Sequence, residues 1–284
     1  MTEFKDDGSD VVAPTGKELL RESWNQLKAG RGVAALPLLG VLAALVAFFI
    51  FVGPGFAVGA LVPDENTRSV IMVAAVVVGG FAATLAVTVF QGAVVSAAFQ
   101  QSLGESTSLP RAMSGALNRL GRLLQWGLVV ATVNLLLSLL RDRKGTVNGI
   151  ISIAGGLAWS VATYLALPAV MFEGIGPFSA IKRSSALITQ TWGSALRVTV
   201  RFGLVLVPFI LVGVALFGGG VYLMIEVHEV LGISLIALSL VVLLVVMTFT
   251  STVTAYVKTQ LYLYASGQNT SVASEIVRGA VQVA

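Results

Sequence analysis

Lys182, Arg183, Ser184 and Ser185 stand together in the stretch EGIGPFSAIKRSS, shortly after the carboxylate of Glu173. Two cations and two hydroxyls beside a helix start could hold a lipid phosphate through charge and hydrogen bonds. A basic pair is also what a membrane protein commonly places at the inner end of a span, with serines filling small gaps. The glycines and lysine of a P-loop are not found at the required spacing, which excludes that motif. Glu173 could gate a mouth or bind a cation, but an ion pair or a helix cap asks less of it.

A second cluster places His228 between Glu226 and Glu229 in MIEVHEVLG. One imidazole and two carboxylates can bind a divalent metal or respond to pH, but three candidate ligands in a short hairpin favour a solvated polar turn, and no metal is expected. His228 is the single histidine and cysteine is absent, so disulfides, thiolate metal sites, cysteine nucleophiles and histidine clusters are excluded. No Asp or Glu pair or Ser-His arrangement stands at one depth. The pattern therefore implies no catalytic residue and no cofactor.

The elements that position these residues are membrane spans. Of 284 residues 56% are hydrophobic and 11% charged, where soluble domains carry roughly 25% charged residues. A bilayer core needs about 20 apolar residues at about 1.5 Å each. Six runs meet or approach that length, at 33–52, 69–98, 123–140, 147–172, 202–225 and 230–257. The first sixteen residues, MTEFKDDGSDVVAPTG, read as a disordered acidic tail rather than a cleavable signal peptide, and 17–284 as a single membrane domain.

With the N-terminus inside, fourteen of the eighteen Lys and Arg fall on the inner side. Arg68, Arg141, Arg143 and Lys144 remain outside. Both termini are accordingly expected in the cytoplasm of a cell with an inner membrane. The formal charge of +4 then reports topology, not nucleic-acid binding.

The KRSS stretch belongs to a repeat. PRAMSGALNRLGRLLQWG, from Pro110, and PFSAIKRSSALITQTWG, from Pro177, both open with proline, carry basic residues and close on Trp-Gly. Met113, Leu117, Leu120 and Leu124 fall on one helical face, and Arg111 and Arg122 on another. Such helices can lie along the inner surface with the basic face toward anionic headgroups. Interfacial helices are expected at 17–31, 110–122, 177–195 and 270–282. The fold expected is an all-α polytopic bundle of six transmembrane helices, arranged as three hairpins that each follow an amphipathic inner helix. Pro168 and Pro208 should kink the fourth and fifth spans by freeing carbonyls near Tyr164 and Leu204.

The string Trp159, Thr163, Tyr164, Pro168, Glu173, Ala180 to Ser184, Trp192 and Gly193 resembles a family of uncharacterised six-span prokaryotic membrane proteins. That family is distantly similar to the membrane domain of glycerophosphoryl diester phosphodiesterases. The resemblance runs over roughly 16–265 and implies fold and membrane location, with no activity to carry over. Leu36 stands where the family pattern implies an aromatic before Pro37.

The leading reading is a non-enzymatic integral membrane protein that engages anionic lipid headgroups, or a protein partner or second copy, through Lys182, Arg183, Ser184, Arg111, Arg119 and Arg122. Glu173, Pro168, Trp192 and Pro208 are assigned structural or gating roles. A permease for an apolar or amphipathic solute, lined by residues such as Gln91, Gln100, Gln101, Asn134, Ser138 and Thr248, is the alternative, and a lipid-modifying enzyme the third. No Asp, Glu, Lys, Arg or His is expected well inside a span, which argues against ion coupling.

Overall fold

The protein is described from a computed structural model that covers residues 32–103, 105–142, 146–226 and 228–266, with the side chains of 142–151, 190–206, 226 and 264 outside the description. The expected interfacial helices at 17–31 and 270–282, together with Arg143, Lys144 and the side chains of Trp192 and Glu226, lie outside these residues. No strand occurs among the described residues, and six helical stretches are long and apolar enough to cross a membrane.

After a short 3₁₀ turn at Val33–Ala35, helix α1 spans Leu36–Ala60 and α2 spans Glu65–Ser102. The Asp64 carboxylate begins α2 by accepting from the Thr67 amide at 2.7 Å, satisfying one of the first-turn N–H groups that have no helical acceptor. Beside it, the Arg68 guanidinium donates twice to the Val62 carbonyl, at 3.0 and 3.2 Å, and so ties the turn together. α1 and α2 approach along glycines: a Cβ at Gly79 would stand 3.0 Å from the Phe48 carbonyl, and one at Gly55 would overlap Ala75. In a lipid solvent, helices gain little from burying apolar surface against each other, so close backbone approach supplies the packing.

The next elements depart from the expected interfacial helix at 110–122. Helix α3 covers Leu109–Leu117, stops at a turn through Asn118 and Arg119, and a new helix α4 runs from Leu120 to Asp142. The turn leaves Arg119 between the two helices, with Arg122 in the first turn of the span.

The fourth span is broken. α5 covers Thr146–Ala162 and α6 covers Ala166–Glu173, with a turn at 163–165 between them. Pro168 accounts for it, because its ring crowds the carbonyl of Tyr164 and it offers no N–H. Pro208 behaves otherwise: α7 runs from Pro177 to Glu226, 50 residues without interruption, through Pro208. The expected inner helix at 177–195 and the fifth span are thus one rod, about 75 Å long at about 1.5 Å per residue. Nothing between Trp192 and Phe202 stops it, since Gly193 and Ser194 weaken a helix without ending it. α8 then spans Glu229–Ala265.

α8 continues past the expected end at Val257, which brings Lys258 inside a membrane-length helix; Glu173 closes another. Both groups sit close to one end of the bundle and not well inside a span. That end also holds the core. Residues 92–98 of α2 are buried without a gap, enclosed by Val33 and Leu36, Ala112 and Ala116 of α3, Leu123 and Trp126 of α4, Val170 of α6, Leu187 of α7 and Tyr262 of α8. Toward the opposite end the helices show apolar side chains to their surroundings, among them Phe49, Val73, Phe209 and Val241, as lipid-facing surfaces must.

Candidate functional site

The site is assembled where α6 ends. Gly174 terminates that helix in the left-handed region, φ 64°, and its amide returns to the Val170 carbonyl at 3.2 Å. The Gly174-Ile175-Gly176 turn then feeds Pro177, which starts α7 where a missing N–H costs nothing. This turn holds Glu173 opposite the second helical turn of α7.

Glu173 Oε1 accepts from Arg183 Nε at 2.8 Å and from the Tyr262 hydroxyl. Its hydrogen bond to the Glu173 carboxylate holds the Arg183 guanidinium above its ordinary range, with burial opposing. The side chains of Arg183 and Glu173 are 40% and 32% exposed, so solvent screens the pair and its net contribution is small. Tyr262 is wholly buried and its ring packs on Phe172, which packs on Phe99 of α2. One carboxylate therefore joins α6, α7 and α8.

Ser184 lies next to Arg183 in sequence but apart from it in use. It is 0% exposed, and its Oγ accepts the Leu165 amide at 3.0 Å. Leu165 belongs to the turn that Pro168 creates, so α7 supplies the acceptor that the broken helix lacks. One turn before Tyr262 on α8, Lys258 Nζ sits 4.7 Å over the Tyr164 ring, a cation–π contact at the same break.

The remaining expected cations separate into two groups. Arg119 lies flat against the turn: a side chain on Gly174 would collide with its guanidinium, and a Cβ on Gly176 would meet Arg122 Nη1 at 3.7 Å. Arg122 also donates to Gln125 Oε1 at 3.2 Å. Lys182 is exposed on the α7 surface. Arg111 is engaged elsewhere, 3.9 Å from Glu105 and donating to the Ser106 carbonyl at 3.1 Å. The structure thus gathers Arg119, Arg122 and Arg183 around residues 173–176, leaves Lys182 exposed beside Arg183 on α7, puts Ser184 in the core and leaves Arg111 in the first turn of α3.

Several of the intramembrane polar residues join helices or bond their own. Gln100 accepts from Thr107 Oγ1 at 2.9 Å and donates to Ser96 Oγ and the Arg111 carbonyl, fixing α3 to α2. Thr250 and Thr252 donate to the Val246 and Thr248 carbonyls of their own helix. His228 and Glu229 are exposed between α7 and α8, and among the described residues no group of three His, Cys, Asp or Glu could hold a metal. The Tyr262–Glu173 and Lys258–Tyr164 contacts were not anticipated. Tyr262 and Lys258 fall on one face of α8 at four-residue spacing, a polar stripe that could have been read there.

A model described as a family of unknown function, DUF6159, matches residues 70–272. The match begins within α2, so α1 and its packing against α2 lie largely outside it, and it does not bear on the phosphodiesterase resemblance. No curated protein matches the chain.

Proposed function

The chain belongs to the DUF6159 family, whose function is unknown, and from the geometry above we propose that it is a non-catalytic multi-pass membrane protein that holds anionic lipid headgroups at its basic end. The observation that carries the reading is the disposition of charge around residues 173–176. Glu173 is engaged by Arg183 and Tyr262, while Arg119, Arg122 and Lys182 make no ion pair among the described residues. Arg119 is held in place by its packing on Gly174, so little freedom is lost when its fork meets a phosphate. Under the positive-inside rule this end faces the cytoplasm, where acidic lipids of an inner membrane would meet it.

The test is acidic-lipid retention by the purified full chain, with Arg119, Arg122 and Lys182 all changed to Gln. Copurified phosphatidylglycerol, measured by mass spectrometry, should fall several-fold against phosphatidylethanolamine, while the thermal unfolding midpoint holds because all three side chains are exposed. Unchanged lipid recovery would refute the proposal, and loss of a bound protein instead would make this surface a partner site.

A further inference from the structure

We propose a second lipid site at the opposite end of the bundle, between α2 and α4, that takes an anionic glycerophospholipid headgroup on Arg141 and its ester region on Asn134. It stands independently of the basic-end reading. Gly127, Ala131, Asn134, Ser138 and Arg141 follow one another at four, three, four and three residues, which places them on one face of α4. The lower part of that face is pressed on α2: a Cβ at Gly127 would stand 2.8 Å from Leu85 Cδ2 and 3.1 Å from Thr88 Oγ1, and Ala131 is 4% exposed. From Asn134 outward the same face is exposed. The two helices touch at Gly127, and from Asn134 onward the same α4 face is uncovered, which leaves room for a lipid beside it.

The exposed part of that face is polar. Asn134 makes no side-chain hydrogen bond and Arg141 no ion pair among the described residues, while Ser138 donates to the Leu135 carbonyl at 2.8 Å and keeps its acceptor side open. An amide left unpaired within a span is costly in hydrocarbon, and intramembrane polar groups normally find partners. Arg141 opposes the positive-inside rule, so topology gives no reason for it there.

The order of polarity identifies the occupant. Going inward, a guanidinium is followed by a hydroxyl, an amide, and then the apolar floor of Ala131 and Leu85. A phospholipid presents the matching order: phosphate, ester carbonyls, acyl chains. Arg141 and Asn134 are seven positions apart, about 10 Å along the axis, a separation that a headgroup and its glycerol esters can bridge. The arginine fork suits phosphate, and the Asn134 amide N–H groups suit an ester carbonyl.

The experiment uses the full chain in phosphatidylcholine nanodiscs carrying a phosphatidylglycerol probe with a photoreactive group near the glycerol, and maps labelled peptides by mass spectrometry. Wild type should label α4 between Leu128 and Arg141, and Asn134→Leu with Arg141→Gln should lower that labelling about tenfold, as expected for loss of a hydrogen bond to a charged group. Arg119→Gln with Arg122→Gln should leave it unchanged while reducing labelling at the basic end, which separates this site from the first. Equal labelling by a phosphatidylcholine probe, or full labelling of the Asn134→Leu, Arg141→Gln variant, would overturn the proposal. So would disulfide crosslinking between two copies through Asn134→Cys, which would make the stripe an oligomer interface.

Discussion

Replacing Ser184 with Ala removes one hydroxyl and leaves the Leu165 amide without an acceptor. Both residues are 0% exposed, so water cannot substitute, and the change leaves almost no cavity. The helical alternative is already in use, because the Val161 carbonyl that Leu165 would reach accepts the Tyr164 amide at 3.2 Å. An orphaned buried donor costs about 1–3 kcal/mol, whereas interhelical hydrogen bonds in membranes average about 0.6 kcal/mol. With the Val161 carbonyl already accepting the Tyr164 amide, Ser184→Ala should fall between those figures, at about 1–2 kcal/mol. Ser185→Ala, half-buried one position on, is the internal control and should stay within about 0.5 kcal/mol. Reversible unfolding in mixed micelles measures the difference, and hydrogen exchange of the segment 160–173 should show faster opening in Ser184→Ala alone. Equal losses for the two variants, or unaltered protection of that segment, would refute the assignment of Ser184 as the acceptor that repairs the break.

Two further outcomes follow from the turn and the α2 cap. Gly174→Ala meets two obstacles, a left-handed backbone and the Arg119 guanidinium in the space a Cβ needs; backbone strain of roughly 1 kcal/mol should lower the unfolding midpoint and displacement of Arg119 should reduce acidic-lipid retention, whereas Gly176→Ala should do neither. The Asp64 carboxyl is held below its ordinary value of 3.8 by the hydrogen bond from Thr67, so the ionised form is the one that caps α2. The cap's contribution is fully present above pH 3.8 and is lost as pH falls through the lower folded value. Exchange of the Thr67 amide should accelerate over that acidic window in wild type and show no such dependence in Asp64→Asn, which caps without titrating.

Much of the architecture was legible because lipid imposes a simple rule: long uncharged runs must be helices. The break at Pro168 could be read for the same local reason, since a proline ring always crowds the carbonyl four residues before it. Pro208 carries the same penalty and does not break α7, so the local rule predicts strain and leaves the outcome to the surroundings. At Pro168 a neighbouring helix offers Ser184 as a substitute acceptor, and the break is stabilised by it. The join of inner helix to fifth span was misplaced because amphipathic and apolar stretches differ in composition, whereas helix continuity depends only on backbone propensity, and 190–202 contains no strong stop. The site was half visible. Glu173 and Arg183 are near in sequence, and their pairing was weighed from spacing. Tyr262 is 89 residues from Glu173, and no periodicity in α8 specifies which helix its hydroxyl meets. Ser184 was placed with the cations because it adjoins them in sequence, yet successive residues on a helix point about 100° apart, enough to send Arg183 to the surface and Ser184 to the core.

The uneven burial of the bundle carries a mechanical consequence. Close packing, Gln100 and its partners, the Ser184 repair and the Glu173 junction are all gathered at the basic end, whereas the outer parts of α7 and α8 meet at small residues, with Ser239 donating to the Gly213 carbonyl at 2.8 Å and a Cβ at Gly220 standing 2.7 Å from Ile236. Buried polar contacts are costly to break, so this end resists separation of the helices. A rigid end with its cations fixed by packing suits headgroup capture without rearrangement. At the other end the proposed lipid would lie along the exposed polar face of α4, against the unpaired Asn134 amide.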